Sequence, residues 1–305
     1  MNKYALIFIL YFILLCTGHS QTEFRNIKVD GTERKYLLHL PPKDTLSRKN
    51  PLLIVLHGHG GNGKQVMKET GFNDISDREK FIVIYPYGIN KGWNDGRETS
   101  GEAVKYDDVK FIASIIDTTV SEFQADTSRI FATGMSNGGF LSIYLAYKLN
   151  ERILAAAPVC ANIPENIKDE YNFNRPVSIM LVNGTADPLV RYYGGKVGFG
   201  ILKNRGFALS TEETIKIFAK LNKCNPVPVI EDIPDINEDD ECFAEKHNYG
   251  NGLNNTKVVL VKVINGGHSY PGGTQYLPKA LVGNLCKDFS ASELIWEFFK
   301  TRKVR

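Results

Sequence analysis

The sequence predicts an α/β fold in which helices cover both faces of a mostly parallel sheet. Two observations lead to this prediction. Short apolar segments with strand character recur along the chain, and segments with the apolar spacing of helices separate them. The 305 residues suffice for one domain of ordinary size, and no repeat or interdomain linker interrupts the alternation. We therefore expect a single domain over residues 21–305.

The predicted elements follow one another in a regular order. A strand or hairpin is expected over residues 25–40, and it ends at Pro41 and Pro42. Further strands are expected to begin near Leu52, Phe81, Ile130, Leu154, Val177 and Val258. Helices are predicted near residues 64–79, 105–123, 137–149, 210–222 and 288–300.

The chain begins with a segment typical of a secretory signal peptide. Lys3 provides a positive charge, an apolar run ends at Cys16, and small residues precede a cleavage position after Ser20. We expect residues 1–20 to be removed and the protein to be secreted, extracellular or periplasmic. The run is short for a membrane span and no second one follows. A lipid anchor at Cys16 stays open as an alternative, although Leu15 is large for the preceding position.

The charge balance argues against a nucleic-acid partner. The formal net charge is only +3 at pH 7, and no basic run with interleaved aromatic residues occurs. The hydrophobic fraction of 43% and the charged fraction of 23% are those of a globular protein. We expect no nucleic-acid partner, and no obligate protein partner is evident.

A candidate nucleophile lies in the segment Gly134 to Gly138, which fits the pattern G-x-S-x-G. Residues 129–133 before it have the character of a buried strand, and residues 140–147 after it have helical spacing. A strand, a sharp turn and a helix in this order present a strained serine, and the glycines make the turn sterically feasible. The pattern predicts that Ser136 is a nucleophile.

A nucleophilic serine needs a base to take its proton and a carboxylate to orient that base. Asp187 lies on a loop just past an apolar strand, where open α/β sheets place their chemistry. Asp169 and the acidic stretch 231–241 compete with it, but only Asp187 follows a strong strand at a turn. His268 follows the strand that begins near Val258. The predicted catalytic residues are therefore Ser136, Asp187 and His268.

A glycine-rich loop at residues 57–62 follows the strand that begins at Leu52. Glycines allow the main chain to bring N–H donors close to an oxyanion. The expected donors are the backbone N–H groups of Asn137 and His59. A metal site at His57 and His59 would need a third ligand, and none is evident at a suitable spacing. The sequence therefore predicts no metal and no cofactor.

Taken together, these motifs resemble those of secreted esterases that include feruloyl esterases, acetylxylan esterases and polyhydroxybutyrate-depolymerase-like proteins. The chain order Ser136, Asp187, His268 is that of α/β-hydrolases. The resemblance implies the α/β-hydrolase fold and serine-dependent ester hydrolysis without a metal. The segments that carry it are residues 56–62, 85–88, 93–94, 107–109, 129–139, 183–190 and 266–273.

The chain departs from the family near the expected substrate entrance. Tyr270 stands where the family often has Trp, Asn183 where it often has His, and His59 where it often has Cys or another small residue. Trp93, Tyr87 and Tyr270 are candidates for flat surfaces that contact a phenolic acid. We expect feruloyl esters on plant polysaccharide as substrates. Hydroxyalkanoate oligomers and acetylated xylan are the alternatives, and a non-catalytic binding module would require loss of a triad residue.

Secretion makes the remaining cysteines candidates for disulfide bonds. Cys224 and Cys242 flank a proline-containing acidic segment, which we expect to be a solvated loop with little core of its own. We predict that these two cysteines form a disulfide bond that tethers the loop. Pairing of Cys160 with Cys286 stays open, although the spacing of these two cysteines does not support it.

Overall fold

The computed structural model describes residues 20–43, 49–99, 102–172, 175–198 and 205–302. The predicted signal peptide and the alternative anchor site at Cys16 lie outside these ranges, except for Ser20. Within the described ranges, ten strands form one sheet and two short strands form another. In chain order the strands are β1 (Gln21–Val29), β2 (Thr32–Leu40), β3 (Leu52–Leu56), β4 (Ile82–Pro86), β5 (Ile130–Met135), β6 (Ala155–Val159), β7 (Ser178–Gly184), β8 (Gly195–Lys196), β9 (Phe207–Ala208), β10 (Val229–Ile233), β11 (Phe243–Tyr249) and β12 (Val258–Ile264).

The large sheet has a parallel centre and antiparallel edges. Its spatial order is β1-β2-β4-β3-β5-β6-β7-β12-β11-β10, and β8 pairs with β9 separately. The six central strands, from β4 to β12 in that order, pair in parallel. The hairpins β1–β2 and β10–β11 extend the sheet in antiparallel fashion on either side. The predicted mostly parallel sheet is therefore confirmed.

Helices cover both faces of this sheet. They are α1 (Gly63–Thr70), α2 (Phe72–Glu79), α3 (Asp108–Phe123), α4 (Asn137–Lys148), α5 (Thr211–Leu221), α6 (Lys279–Val282) and α7 (Ala291–Lys300). The predicted helix over 64–79 is two helices, because Gly71 adopts a left-handed conformation between them. Among the described helices, none has the length and apolar character needed to cross a bilayer.

The alternation of side chains along each strand divides the core in two. In β3, Leu52, Ile54 and Leu56 pack with residues of α3, α4 and α5. Leu53 and Val55 point to the other face and pack with residues of α1, α2 and α7. A strand that is buried on both faces reads as a continuous apolar run, which is why the central strands were recognisable in the sequence.

The acidic segment between Cys224 and Cys242 is not a simple solvated loop. Most of the segment from 229 to 249 forms the antiparallel hairpin β10–β11, and β11 pairs with β12. Three residues of β11, Ala244, His247 and Tyr249, are buried. The sequence signal was weak because β10 is an edge strand whose residues are mostly exposed, two of them charged.

The predicted disulfide between Cys224 and Cys242 is wrong for this fold. All four described cysteines, Cys160, Cys224, Cys242 and Cys286, are free thiols. Asn225 donates a hydrogen bond to the carbonyl of Gly250 at 3.0 Å, which places Cys224 beside the end of β11. Cys242 immediately precedes the start of the same strand. An extended strand of this length separates its two ends by about 20 Å, whereas a disulfide needs Cα atoms less than about 7 Å apart.

Candidate active site

Ser136 lies at the sharp turn between β5 and α4. Its backbone adopts φ 57° and ψ −121°, a left-handed-side conformation that a residue other than glycine rarely adopts. The N–H of Ser136 donates to the carbonyl of Val159 at 2.9 Å, and its own carbonyl accepts from the N–H of Phe140 at 2.8 Å. These bonds hold the strained turn between β6 and the first turn of α4. Strain maintained in this way is typical of a functional residue.

The glycines on both sides of Ser136 are required by close packing. A Cβ atom built on Gly134 would lie 2.6 Å from the carbonyl oxygen of Leu56. A Cβ atom built on Gly138 would overlap the same oxygen and would lie 2.6 Å from the carbonyl oxygen of His57. These oxygens belong to the backbone at the end of β3, so they cannot move away as a flexible side chain could. Only glycine fits at the two positions. The pattern G-x-S-x-G therefore reflects contact between the serine turn and the neighbouring glycine-rich loop.

Asp187 and His268 form a buried hydrogen-bonded pair. Nδ1 of His268 lies 2.7 Å from Oδ2 of Asp187, and the two side chains are 3% and 1% exposed. The other carboxylate oxygen, Oδ1, accepts hydrogen bonds from the backbone N–H groups of Leu189 and Val190, each at 2.8 Å. A carboxylate that accepts three hydrogen bonds is stabilised in its charged form, and its orientation is fixed. It holds the imidazole with the proton on Nδ1, so Nε2 is available as a base.

The glycine-rich loop lies directly beside Ser136. A Cβ atom built on Gly58 would lie 3.7 Å from Cβ of Ser136. Asn137 is the first residue of α4, so its backbone N–H has no acceptor within the helix. The side chain of Asn137 is occupied elsewhere, since Oδ1 accepts from the N–H of Trp93 at 2.9 Å and Nδ2 donates to Asp95 at 2.6 Å. The main chain of the glycine-rich loop and the N–H of Asn137 therefore both lie next to Ser136.

His57 supports this loop from behind. Its Nδ1 donates to the carbonyl of Gly58 at 2.8 Å, and its Nε2 accepts from the N–H of Gly88 at 2.9 Å. Burial, opposed by the hydrogen bond to Gly58, lowers the pKa of His57 to about 4. The side chain is therefore neutral near pH 7, with both ring nitrogens hydrogen-bonded inside the protein.

A cavity of about 420 Å³ opens above Ser136 and His268. Tyr270 is one of its lining residues, as the sequence suggested, and the hydroxyl groups of Tyr270 and Ser292 are hydrogen-bonded at 2.9 Å. Trp93 and Tyr87, the other two predicted contact residues, do not line this cavity. Trp93 is buried and donates from Nε1 to the carbonyl of His57, whereas the hydroxyl of Tyr87 accepts from the N–H of Lys64.

Other side chains of the cavity wall were not predicted from the sequence. Some are apolar residues on the loop after Asp187, and others lie on α1 or on the loop that precedes α6. Two arginines complete the wall. These residues are Gln65, Val66, Glu69, Arg97, Leu189, Val190, Val197, Arg205, Tyr276 and Leu277. Most of them lie on irregular segments, where no periodic pattern marks which side chains point inward.

A thiol lies next to the pair formed by Asp187 and His268. The side chains of Cys160, Asp187 and His268 bring their potential ligand atoms within 4.8 Å of one another. Sγ of Cys160 is 3.4 Å from the carbonyl oxygen of Ser269, and burial followed by the charge of Asp187 raises the pKa of the thiol well above its usual range. The thiol is therefore neutral and acts as a small packing group behind the pair.

Comparison with known proteins agrees with this architecture. An acetyl xylan esterase from Aspergillus awamori superposes with a TM-score of 0.61 at 15% identity, covering 91% of this chain and 99% of the other. The chain has the α/β-hydrolase fold. Residues 34–163 match the family model described as esterase PHB depolymerase. This segment runs from β2 to just beyond β6 and includes the glycine-rich loop and the Ser136 turn, but neither Asp187 nor His268.

Three protein relatives extend the comparison beyond that segment. The putative esterase NocK of Nocardia uniformis is 26% identical over 91% of this chain and 82% of its own length. Feruloyl esterase B of Piromyces equi is 29% identical over 79% of this chain and 43% of its own length. A probable feruloyl esterase C of Aspergillus niger is 31% identical over 53% of this chain and 58% of its own length. The predicted resemblance and the predicted class, a carboxylic ester hydrolase, are confirmed.

Proposed function

We propose that this α/β-hydrolase is a secreted serine esterase that uses Ser136, His268 and Asp187 to hydrolyse carboxylic esters through an acyl-enzyme. The observation that carries the proposal is the strained Ser136 turn in the same cavity as His268, whose ring is bonded to the buried carboxylate of Asp187. Such a set converts one difficult hydrolysis into two easier acyl transfers. Secretion is proposed from the signal-like residues 1–20.

Acylation begins when Oγ of Ser136 attacks the ester carbonyl carbon and Nε2 of His268 takes the hydroxyl proton. The carbonyl oxygen becomes an oxyanion that accepts hydrogen bonds from the backbone N–H groups of Asn137 and His59. Asp187 stabilises the imidazolium that forms and keeps its orientation. The C–O bond to the alcohol then breaks, and His268 returns the proton to the departing alcohol.

Deacylation repeats these steps with water as the nucleophile. His268 takes a proton from the water, whose oxygen attacks the acyl carbon bound to Ser136. The same main-chain donors stabilise the second oxyanion. Collapse breaks the bond to Oγ, His268 returns the proton to Ser136, and the carboxylic acid leaves. No step in this sequence requires a metal or cofactor.

The proposed substrates are feruloyl and related hydroxycinnamoyl esters on plant polysaccharide. Support comes from two relatives whose names describe them as feruloyl esterases. The cavity is large enough for a small acyl group and has Tyr270 and Tyr276 in its lining. An aromatic acid can stack on such rings. The chain spans about half the length of these two feruloyl esterases.

Two other ester classes use the same machinery and are the alternatives. The family model that matches residues 34–163 carries the description PHB depolymerase, which favours hydroxybutyrate oligomers. The structural relative from Aspergillus awamori carries the name acetyl xylan esterase. Apolar lining residues such as Val190 and Val197 suit any of these acyl groups.

A hydrolysis panel on the purified mature protein tests the proposal. The panel contains methyl ferulate, feruloylated arabinoxylan fragments, acetylated xylan, hydroxybutyrate oligomers and a peptide. We expect ester hydrolysis with the highest kcat/KM for a feruloyl ester. A higher kcat/KM for hydroxybutyrate oligomers or acetylated xylan would replace the substrate assignment and leave the serine mechanism intact.

Two variants test the mechanism separately. Ser136→Ala should lower kcat by at least ~10³-fold because it removes the covalent route. Asp187→Asn should lower kcat by about 10⁴-fold, because an amide favours the wrong tautomer of the histidine. Circular dichroism and thermal unfolding of both variants provide the control for folding. Ester turnover close to that of the wild type in a folded Ser136→Ala variant would refute the proposed nucleophile.

A further inference from the structure

One positive charge in the cavity, that of Arg205, has no acidic partner among the residues that the structure describes. Arg205 is half-buried and lines the same cavity as Ser136 and His268. Within the described ranges, no carboxylate lies at ion-pairing distance from its guanidinium, and its pKa is lowered by burial and by the charge of Arg97. The sequence of residues 199–204, which precede it, contains no Asp or Glu.

The second arginine of the cavity has a different environment. Arg97 is paired with the buried Asp95, with Nη2 2.6 Å from Oδ2, and its guanidinium lies 3.9 Å from the ring centre of Phe140. Nη1 of Arg97 donates to the carbonyl oxygen of Arg205 at 3.1 Å. Arg97 is therefore a structural cation that fixes the backbone of Arg205 at the cavity wall, while the charge of Arg205 stays unbalanced.

The remaining charged groups of the cavity do not neutralise Arg205. Glu69 lines the wall formed by α1, where its Oε1 accepts a hydrogen bond from Nε2 of Gln65 at 2.7 Å. His59 lies closer to the arginines. Partial desolvation and then the charges of Arg205 and Arg97 lower its pKa, so the ring is neutral near pH 7. The described residues of the wall that contains Arg205 thus carry a net positive charge.

We propose that the cavity takes esters that also carry a carboxylate, and that Arg205 binds this carboxylate. The inference rests on the proposed esterase function and adds the substrate class to it. A guanidinium presents donors in a planar fork that matches the two oxygens of a carboxylate. A partly desolvated cation with no counter-ion gains more from such a partner than an exposed one does.

The carboxylate can belong to either half of the ester. On the alcohol side it is that of a uronic acid in a glycan, and on the acyl side it is the second carboxyl group of a dicarboxylic acid. Two matched substrate pairs distinguish these sources. One pair is the feruloyl ester of glucuronic acid and that of glucose. The other is the nitrophenyl monoester of adipic acid and its neutral methyl ester.

The readout is the ratio of kcat/KM for the anionic member to that for the neutral member of each pair. In the wild-type protein we expect a ratio above one for at least one pair. In Arg205→Gln we expect that ratio to fall at least about tenfold, as for loss of a hydrogen bond to a charged group. Arg205→Lys should retain part of the preference. The preference should also weaken as salt is added.

A matched control separates local binding from net charge. Arg191 is exposed and does not line the cavity, and Arg191→Gln removes the same charge from the surface. We expect this variant to keep the wild-type ratio. Equal ratios in wild type and Arg205→Gln for both pairs, or the same fall in Arg191→Gln, would overturn the role of Arg205.

A binding measurement keeps this test distinct from that of the proposed function. Calorimetric titration of Ser136→Ala with each intact ester measures affinity without turnover. Adding Arg205→Gln to this variant should weaken binding of the anionic ester at least about tenfold. If wild type hydrolyses neutral esters but shows no effect of Arg205, the carboxylate inference fails and the esterase stands. If no ester is hydrolysed but the anionic ester still depends on Arg205 for binding, the esterase proposal fails alone.

Discussion

Nδ2 of Asn137 donates a hydrogen bond to Oδ2 of Asp95 at 2.6 Å, and this carboxylate is paired with the buried Arg97. The residue that follows the proposed nucleophile is thereby fastened to the loop that carries one wall of the cavity. A further bond joins Oδ1 of Asn137 to the N–H of Trp93 on the same loop. The turn and the wall therefore depend on one amide side chain.

Replacing this amide should harm both stability and catalysis. Asn137→Ala leaves the N–H and the carbonyl oxygen of the buried Trp93 without their partner, and each unsatisfied group costs roughly 1–3 kcal/mol. We expect urea unfolding to show a loss of about 3 kcal/mol and kcat to fall more than KM changes. Asn166→Ala is the control, because it removes an exposed hydrogen bond to Gly96 on the same loop. A loss in Asn137→Ala no larger than in this control would contradict the prediction.

The buried His57 predicts a loss of stability on acidification. Its pKa is about 4 in the folded protein and 6.5 when unfolded, so the unfolded state binds the proton more readily. The contribution is complete above pH 6.5 and declines as the pH falls towards 4, by about 3 kcal/mol in total.

Urea unfolding over this pH range measures the effect. His57→Gln keeps an acceptor and a donor of similar placement but does not titrate, so its stability should fall less steeply with acidification. Proton NMR of the His57 ring in the wild-type protein gives an independent value, since it does not depend on the variant folding. A His57 ring that titrates near pH 6.5 in the folded state would refute the prediction.

The serine turn should not tolerate a methyl group at Gly138. Its Cβ atom would lie 2.6 Å from the carbonyl oxygen of His57 and would also overlap that of Leu56. We expect Gly138→Ala to destabilise the fold by about 3 kcal/mol or more and to abolish most of the ester hydrolysis. Gly250→Ala is the matched control, because its Cβ would meet nothing within 4 Å. Similar melting temperatures for the two variants would show that the packing argument is wrong.

The cysteines should remain unlinked across β11. Alkylation of the denatured, unreduced protein followed by peptide mapping should find no bond between Cys224 and Cys242, because the strand holds them apart. A cross-linked peptide containing both residues would mean that the β10–β11 hairpin is not formed as described.

The parts of the molecule that were predictable from sequence are those with a repeating environment. β3 and β7 are buried on both faces, so each appears as an apolar run, and loops that follow parallel strands meet at one sheet edge. This reasoning placed Asp187 and His268 on neighbouring loops, where the structure joins them by a hydrogen bond. The edge hairpin β10–β11 was not predicted, since its outer strand shows little alternation of apolar and polar residues.

The cavity wall was less predictable because tertiary contacts decide it. The sequence predicted that Trp93 contacts the substrate. In the structure the side chain is buried, and its Nε1 donates a hydrogen bond to the carbonyl of His57. The role of Arg205 was not predicted, since a single arginine in a glycine-rich segment forms no sequence pattern. The hydrogen bond from Arg97 to the carbonyl oxygen of Arg205 holds that residue at the wall of the cavity.

The contact of Gly138 with the carbonyl oxygens of Leu56 and His57 has a consequence for heat inactivation. It joins the serine turn to the glycine-rich loop through main-chain atoms, with no mobile side chain between them. One segment therefore cannot loosen while the other stays in place. Warming should leave the specific activity of the folded fraction intact until the central sheet itself gives way, so residual activity and ellipticity should decline along one curve.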